Sequence, residues 1–275
     1  MKITLITACY NSAATIRTCF DSVLSQKGVD VEYIVVDGGS TDGTVEQIEN
    51  VKCKMENGCG RFTFKFISER DRGMYDAINK GIKMATGDVI GILNADDVFE
   101  SPDTLAHVAS AFEQKASPVP CSPFPIPQRI DALYADIRFV KDDLSTTVRY
   151  YSAKHWKPWM LQWGKMPPHP SVYIRRELFE KYGLYKLGYE IAADYELLIR
   201  YLRMAKLRTR YLNESLVKMR MGGKSTRGWK SFVTLNREIV RGNRENGYFC
   251  CFPMLLPKYL FKVFEFILPR LGLNK

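Results

Sequence analysis

The sequence predicts an α/β domain in which a mostly parallel sheet is covered by helices on both faces. Short β-prone runs alternate with helical segments through the first hundred residues, which is the spacing of strand–helix–strand units. Three of these runs end in clusters of polar residues, and ligands of such sheets bind beyond the carboxyl ends of the strands. The composition, 46% hydrophobic and 25% charged over 275 residues, is that of one folded domain of ample size.

Local patterns predict the individual elements. The strands are expected at residues 3–7, 31–36, 62–67, 89–93 and 132–135. The helices are expected at residues 13–24, from residue 44 onwards, and at 75–85, 176–182 and 195–205. Asn11-Ser12 and Thr41-Asp42 stand before the first two helices, where their side chains can bond free backbone amides. The region 114–130 contains five prolines, which predicts a surface excursion rather than a core element.

Charge divides the chain into an acidic front and a basic back. Residues 1–150 carry 16 Lys and Arg against 21 Asp and Glu, a net charge of −5, whereas residues 151–275 carry 24 against 9, a net charge of +15. A basic half suits an anionic lipid surface or a phosphate-bearing substrate. No nucleic-acid-binding motif accompanies these residues, so nucleic acid is not an expected partner. The seven cysteines are scattered without a CxxC pair, which argues against zinc or a disulfide framework and favours a cytoplasmic location.

The segment from residue 249 to 273 is strongly apolar and is interrupted by three prolines. Residues 259–268 within it mix aromatic and aliphatic residues with a basic one, a pattern typical of helices that lie at a membrane surface. It is too short to span a bilayer, which needs about 18–20 apolar residues. We therefore predict a basic C-terminal extension over residues 216–275, whose amphipathic helices hold the protein on the inner face of the cell membrane. A helix docked on the core or in a homodimer interface is the alternative.

Asp96 and Asp97 directly follow an apolar run that reads as a buried strand. Adjacent carboxylates repel each other unless a cation lies beside them, and Mg²⁺ is commonly bound by one or two carboxylates together with substrate phosphates. A solvated turn that caps the next helix is the alternative. Asp37 ends another strand before a glycine-rich loop at residues 38–43, which favours a ligand site. The loop has neither the dinucleotide-binding nor the P-loop spacing.

Four ordered runs carry a resemblance to a known family. They are TLITACYNSAATI, YIVVDGGSTDGT, SERDRGMYDAINKGIKMATGD and VIGILNADD. The chain resembles the family 2 glycosyltransferases, which have the Rossmann-like GT-A fold, and among them the bacterial enzymes that build O-antigen, capsule and other surface polysaccharides. The resemblance returns at PPHPSVYIRRELFEKYGLY and YEIAADYELLIRYL. It implies a GT-A domain over residues 1–215, with a nucleotide-sugar half at 1–100 and an acceptor half at 130–215.

The resemblance also implies residue roles on the donor side. Asp37 would accept a hydrogen bond from the base, usually uracil, while Asp96 and Asp97 would hold Mg²⁺ or Mn²⁺ beside the diphosphate, Asp96 also lying by the ribose. The family motif is often Asp-x-Asp, whereas Asn94 stands first here, so the direct metal ligand stays open between Asp96 and Asp97. The further residues predicted to bind the nucleotide sugar are Thr7, Cys9, Tyr10, Asn11, Arg72, Arg220 and Lys224.

Each of the three basic positions has a plain alternative. Arg72 precedes a predicted helix and either reaches the phosphates or forms a surface ion pair. Arg220 and Lys224 belong to a basic glycine loop that would fold over the departing diphosphate. A solvated basic turn is the other interpretation of that loop.

Asp194 is the predicted general base, because it stands where the family's second acidic motif has its catalytic residue. Inversion at an anomeric carbon requires the acceptor hydroxyl to lose its proton as it attacks, and a carboxylate in hydrogen-bond reach can accept that proton. A helix N-cap is the alternative role for Asp194. His169, in the run PPHP, is predicted to contact the acceptor or the diphosphate, with a turn histidine of no catalytic part as its alternative.

The sequence therefore predicts a metal-dependent, inverting glycosyltransferase. Its donor would be a nucleoside-diphosphate sugar, UDP-linked by the resemblance, and its acceptor a hydroxyl of a glycan or a lipid-linked glycan in bacterial surface polysaccharide biosynthesis. A nucleotidyltransferase on a related scaffold is one rival, although the loop ACYNSAATIRT offers only Arg17 as a phosphate-binding cation. A non-catalytic, membrane-associated nucleotide-sugar-binding protein is the other, and the retained carboxylates speak against it.

Overall fold

A computed structural model of the chain describes residues 1–56, 62–114, 129–222 and 228–259, which form a nine-stranded sheet with helices on both faces. The predicted α/β class is thereby confirmed. The strands are β1 (Lys2–Cys9), β2 (Asp30–Asp37), β3 (Phe62–Ser68), β4 (Val89–Ile92), β5 (Val98–Phe99), β6 (Ala132–Val140), β7 (Thr147–Tyr151), β8 (Tyr173–Arg175) and β9 (Thr209–Arg220). The helices are α1 (Ile16–Leu24), α2 (Thr44–Glu56), α3 (Met74–Met84), α4 (Thr104–Glu113), α5 (Glu177–Tyr182), α6 (Ala193–Leu198) and α7 (Gly228–Glu245). A π-helical turn, Ile199–Met204, continues α6.

The first four long strands lie in the order β3-β2-β1-β4 and pair in parallel. Their runs of Val, Ile and aromatic residues are buried, with β2 covered from Val31 to Asp37, because helices cover both faces of a parallel sheet. The strands and helices predicted for this half are confirmed, with ends that differ by up to three residues. The carboxyl ends of β1, β2 and β4 consequently share one edge of the sheet.

The second half of the sheet mixes strand directions. β8 pairs antiparallel with both β4 and β6, and β5 pairs antiparallel with β9, whereas β6 and β9 are parallel. β6 and β7 form an antiparallel hairpin, because the connection over residues 141–146 is too short for a crossover. The prediction of a mostly parallel sheet therefore holds for the first half of the sheet. The strands β5 and β8 were not predicted, because they are too short to show an alternation of apolar and polar residues.

Two apolar layers cover the sheet, one on each face. Phe20 of α1, Ile48 of α2 and Leu105 of α4 belong to one layer. Ile78 of α3 and Leu198 of α6 belong to the other, together with apolar residues of α7. Because the helices occupy the faces, the loops at the carboxyl edge are the part of the sheet left for binding.

The domain boundary predicted at residue 215 falls inside β9. This strand pairs with β6 as far as Arg220, so the sheet extends past the boundary and the extension begins after it. Helix α7 lies within the predicted helical extension, but its bounds were not predicted, although Phe232, Leu235 and Ile239 recur at helical spacing along it. The predicted membrane-surface helix at 259–268 and the proline-rich excursion at 114–130 lie almost wholly outside the described residues.

Candidate active site

The polar clusters that end β1, β2 and β4 meet at one edge of the sheet. The β1–β2 register pairs Cys9 with Asp37, and the Gly38 amide donates to the Cys9 carbonyl at 2.9 Å. Leu93, just after β4, donates its amide to the Ile6 carbonyl of β1 at 3.0 Å. The three clusters therefore line one crevice beyond the carboxyl ends of the strands.

Asn11 ties the loop after β1 to the loop after β2. Its amide donates to Ser40 Oγ at 2.8 Å, and its side-chain Oδ1 accepts from the Thr41 amide at 3.0 Å. Asn11 has a φ of 49°, a left-handed conformation that asparagine tolerates better than most residues. Tyr10 beside it is 63% exposed. Asn11 thus shapes the loop and leaves the Tyr10 ring exposed at the crevice.

Thr7 and Cys9 form their hydrogen bonds inside the protein. The fully buried Thr7 hydroxyl donates to the Leu93 carbonyl at 2.8 Å and accepts from the Tyr33 hydroxyl at 3.0 Å. Burial, followed by the nearby charge of Asp37, raises the pKa of the Cys9 thiol. Both side chains fasten the strands beneath the crevice, and their direct contact with a nucleotide stays a prediction.

Asp37 is fully buried, and its carboxylate organises the glycine-rich loop. It accepts from the backbone amides of Gly39 at 3.0 Å and Ser40 at 2.9 Å, from the Ser68 hydroxyl at 2.7 Å, and from the Ser40 hydroxyl. Burial opposes its ionisation, but these hydrogen bonds outweigh burial and lower the pKa of Asp37. The carboxylate is therefore ionised at neutral pH and holds the loop that would surround the base.

Asp97 is 1% exposed, and one of its oxygens is left without a partner. The Asn94 side-chain amide donates to Oδ2 at 2.8 Å, whereas Oδ1 has no hydrogen-bond partner among the described residues. Burial and then the charge of Asp96 raise the pKa of Asp97 well above its usual range, against Asn94 and Arg220, which lower it. A buried carboxylate oxygen of this kind is costly unless a cation reaches it.

This pair of carboxylates fits a hard divalent cation that the substrate helps to bind. Asp97 offers its buried oxygen, and the partly exposed Asp96 stands next to it. The described residues contain no group of three or more His, Cys, Asp or Glu side chains able to hold a metal ion. Substrate phosphates would have to complete the coordination, as is common for Mg²⁺. The neutral side-chain amide of Asn94 donates to Asp97. A carboxylate at position 94 would instead repel Asp96 and Asp97.

Arg220 lies beside the carboxylate pair. It ends β9 two residues after Lys218, which pairs with Val98 of β5, so the antiparallel register brings Arg220 level with Asp96. Its Nη2 donates to Thr18 Oγ1 at 3.0 Å, while its buried Nε has no partner in the described part of the chain. A guanidinium at this position suits a phosphate oxygen, because its planar donors match phosphate geometry.

Of the two other predicted donor-side cations, the structure describes only Arg72. Arg72 is 76% exposed and forms an ion pair with Asp76 of α3 at 3.3 Å, which is the surface pair that the sequence left open. Such exposed pairs contribute little to stability. Lys224 lies outside the described residues, so its place in the site stays a prediction.

Asp194 occupies the first turn of α6 in a largely aromatic pocket. Its Oδ1 accepts from the Tyr195 amide at 2.7 Å and from the Tyr75 hydroxyl at 3.4 Å. Burial raises the pKa of Asp194, and nearby His169 is the chief opposing influence. The helix N-cap is Ala192, so Asp194 does not have the N-cap role that was the alternative. A carboxyl with a raised pKa is a suitable proton acceptor nearer to neutral pH.

His169 joins the same pocket through Tyr185. Its Nε2 lies 2.7 Å from the Tyr185 hydroxyl, and the Tyr185 ring stacks on Tyr75 with centroids 5.7 Å apart. Burial lowers the pKa of His169, while the charge of Asp194 acts in the opposite direction. The imidazole is therefore neutral at pH 7 and oriented by a tyrosine.

Strand pairing brings the His169–Asp194 pocket to the edge that carries the acid pair. The turn His169–Ser171 leads into β8, where Tyr173 pairs with Gly91 of β4. Because β8 runs antiparallel to β4, the start of β8 lies at the sheet edge where β4 ends, before the loop that bears Asp97. The His169–Asp194 pocket and the Asp96–Asp97 pair thus belong to the same edge of the sheet.

Sequence reasoning missed Tyr75, Tyr185 and the role of Asn94. Tyr75 lies within one of the family-like runs and Tyr185 is the last residue of another, but a tyrosine is equally typical of a core position. The Tyr75 hydroxyl contacts residues more than a hundred positions away, as in its bond to the Ile191 carbonyl, and the Tyr185 hydroxyl contacts His169 across a turn and a strand. Such contacts have no signature in one sequence.

Comparison with known proteins gives consistent matches. The model of glycosyl transferase family 2 matches residues 4–183. A PGL/p-HBAD biosynthesis glycosyltransferase of Mycobacterium tuberculosis is 34% identical over 205 residues, which are 74% of this chain and 70% of that protein.

Two solved structures resemble this one in fold. The mannosyltransferase PcManGT of Pyrobaculum calidifontis, in complex with GDP-Man and Mn²⁺, has a TM-score of 0.61 at 20% identity, over 89% of this chain and 63% of that chain. Glucosyl-3-phosphoglycerate synthase of Mycobacterium tuberculosis, in complex with Mg²⁺ and UDP, has a TM-score of 0.55 at 16% identity, over 87% of this chain and 79% of that chain. At these identities the likeness establishes the fold, and it is the expected GT-A fold.

Proposed function

This chain belongs to glycosyl transferase family 2, and from that premise we propose that it is a metal-dependent, inverting glycosyltransferase. Its donor is a nucleoside-diphosphate sugar, UDP-linked, and its acceptor is a hydroxyl of a glycan or lipid-linked glycan in bacterial surface polysaccharide biosynthesis. The observation that carries this proposal is the buried Oδ1 of Asp97, which has no hydrogen-bond partner among the described residues.

On the donor side, Asp96 and Asp97 would hold Mg²⁺ or Mn²⁺, and the bound metal would stabilise the negative charge of the leaving diphosphate. Arg220 offers a donor without a partner in the described residues next to these carboxylates, and this supports a contact with a phosphate oxygen. Asp37 keeps the loop after β2 in shape through four hydrogen bonds. The base would rest against that loop and the exposed Tyr10 ring.

On the acceptor side, Asp194 takes the proton of the attacking hydroxyl. The acceptor oxygen forms a bond to the anomeric carbon from the face opposite the nucleotide, and the bond to the diphosphate breaks with its electron pair on the leaving oxygen. The raised pKa of Asp194 supports this role, because a stronger base accepts the proton more readily. At pH 7 His169 is a neutral hydrogen-bonding group in the same pocket, and at lower pH, where it is protonated, its charge favours the ionised form of Asp194.

We further propose that the protein binds the cytoplasmic face of the cell membrane. Large apolar side chains are exposed in two segments that touch each other, the 3₁₀ turns at Pro158–Trp163 and Phe252–Leu255 with their flanks. Gln162 of the first donates to the Phe249 carbonyl beside the second at 2.7 Å. The exposed side chains are Trp159, Trp163, Phe249, Phe252 and Leu256, which we call the aromatic face. Aromatic residues in a basic half suit an anionic lipid interface. Among the described helices, none is long and apolar enough to cross a bilayer.

Binding and product analysis test the function. Purified protein is screened by thermal shift against UDP-, GDP- and dTDP-sugars with and without Mn²⁺, since a ligand specific to the folded state raises the melting temperature. The donor so found is incubated with lipid-linked acceptors. We expect a metal-dependent shift with UDP-sugars and release of a nucleoside diphosphate.

Two variants sharpen this test. Asp97→Asn should lose the metal-dependent shift, whereas Asp194→Asn should keep the shift and lose transfer. Release of pyrophosphate would indicate a nucleotidyltransferase instead. Metal-dependent binding without any hydrolysis or transfer would indicate a non-catalytic protein, and wild-type behaviour of both variants in complementation would overturn the proposed site.

A further inference from the structure

The carboxylate of Glu238 on α7, outside the crevice, holds the chain directly before Asp194 through hydrogen bonds. Glu238 lies on α7 and is 9% exposed. Its Oε1 accepts from the Glu190 amide at 2.6 Å, and its Oε2 accepts from the amides of Ile191 at 2.9 Å and Ala192 at 2.8 Å. Three consecutive amides thus donate to one carboxylate. Hydrogen bonds to a charged acceptor are about twice as strong as neutral ones.

The gripped residues lead straight into the candidate base. Ala192 is the N-cap of α6, and Asp194 follows two positions later. The Ile191 carbonyl accepts from the Tyr75 hydroxyl, which also donates to Asp194 Oδ1 at 3.4 Å. Holding residues 190–192 therefore sets both the start of the helix that bears Asp194 and the tyrosine that faces its carboxylate.

Further bonds fix α7 in register on α6. The Asn243 side-chain amide donates to the Tyr195 hydroxyl at 3.2 Å, and the Asn246 side-chain amide donates to Glu196 Oε1 at 3.1 Å. These partners directly follow Asp194 in α6. α7 thus contacts the chain on both sides of the candidate base, so a displacement of α7 is transmitted to Asp194.

We propose that Glu238 is a positioning residue for Asp194, so that α7, although outside the predicted glycosyltransferase domain, is part of the catalytic unit. Glu238 acts by holding residues 190–192 and does not touch the substrate. The inference rests on the proposed function, because it presumes that Asp194 is the general base.

Steady-state kinetics of Glu238→Gln test this inference. The amide keeps the size of the side chain but turns one acceptor into a donor that faces backbone N–H groups. We expect kcat to fall at least about tenfold with the donor KM within about twofold, since one misplaced catalytic group commonly costs this much. The acid limb of the kcat–pH profile should also move to lower pH, because a loosened Asp194 becomes better hydrated.

A matched control and a double variant separate positioning from general damage. Glu245→Gln also removes a charge from α7, but Glu245 bonds the side chains of Lys186 and Tyr189 rather than the gripped amides, so its kcat and pH profile should stay near wild type. Glu238→Gln added to Asp194→Asn should lower kcat no further than Asp194→Asn alone, because both changes act through one group.

The outcomes distinguish the two proposals. If wild-type protein transfers no sugar, the proposed function fails and the role of Glu238 fails with it. If wild type is active, Asp194→Asn is inactive and a folded Glu238→Gln keeps the wild-type kcat and pH profile, only the role of Glu238 is overturned. If Glu238→Gln does not fold, Glu238→Asp takes its place, and amide hydrogen exchange must then be faster at residues 190–192 than in wild type, or the inference is wrong.

Discussion

Asp97 combines a buried charge with an oxygen that no described residue satisfies. Folding raises its pKa, through burial first and the neighbouring Asp96 second. The ionised carboxylate therefore opposes folding, and this cost appears as the pH rises through the unfolded-state pKa toward the folded one. A cation bound beside Asp97 would remove this unfavourable contribution to the free energy of folding.

Asp97→Asn should accordingly stabilise the protein in buffer without divalent cations. We expect the free energy of unfolding at about pH 7 to rise by about 1–3 kcal/mol, the cost of an unsatisfied buried polar group. Urea denaturation in EDTA measures this, and the gain should shrink toward about pH 4, where the unfolded carboxyl protonates. Asp96→Asn, at a partly exposed position, should change stability less. An Asp97→Asn protein less stable than wild type at neutral pH would contradict this view of the site.

His169 tunes Asp194, so its loss should appear in the pH dependence of catalysis. His169 is the chief influence that lowers the pKa of Asp194 against burial. In His169→Gln that pKa rises further, and the acid limb of the kcat–pH profile should shift to higher pH. The exposed His107, which pairs with Glu214 at 2.9 Å elsewhere, provides the control, and His107→Gln should leave the profile in place. If the acid limb of the His169→Gln profile lies at the same pH as in wild type, His169 does not influence the pKa of Asp194.

At the scale of elements, the crevice depends on how closely β8 approaches β4. Gly91 of β4 faces the Tyr173 ring of β8, and a Cβ at Gly91 would lie 2.3 Å from Tyr173 Cε1. A ring fully enclosed by the core has little room to move aside. The absence of a side chain at Gly91 therefore sets the β4–β8 contact that brings His169 to the sheet edge of the acid pair.

Gly91→Ala should lower the free energy of unfolding by about 1–3 kcal/mol, the usual cost of overpacking a core. Gly242→Ala on α7 is the matched control, because its Cβ would meet Glu196 Cβ at an ordinary 3.5 Å. Alanine is favoured over glycine within a helix by up to about 1 kcal/mol, so this control should be neutral or stabilising. Thermal melts of both proteins check the pair, and equal melting temperatures would refute the tight contact.

At the scale of the whole molecule, the acidic and basic halves have different tasks. The acidic half provides the crevice with the carboxylates proposed to bind the metal, and the basic half carries Arg220, α7 and the aromatic face. α7 connects the two, since Glu238 reaches the chain before Asp194. An enzyme that acts on lipid-linked acceptors would benefit from a membrane contact this close to its base.

Vesicle co-sedimentation tests the aromatic face. Wild type should bind anionic vesicles, bind neutral vesicles less, and release in high salt as charge attraction is screened. Phe249→Ser with Leu256→Ser should weaken binding at least about tenfold, given about 1.5–3 kcal/mol for each buried large apolar side chain. Leu187→Ser, at an exposed apolar residue outside this face, is the control. Unchanged vesicle binding by the double variant would show that the aromatic face does not contact the membrane. A wild-type dimer that the double variant dissociates would assign the face to a dimer interface instead.

The sequence by itself determined the α/β class, the elements of the first half and the carboxylates of the crevice. These follow from local periodicity and from polar residues at strand ends, which a single chain displays directly. Only the tertiary structure decided that Asn94 donates to Asp97, that Tyr75 and Tyr185 surround Asp194, and that Glu238 holds residues 190–192. These are contacts between side chains that strand pairing and helix packing bring together, and no local pattern encodes them. The direction of the pKa of Asp97 depends likewise on burial, which exists only once the sheet has formed.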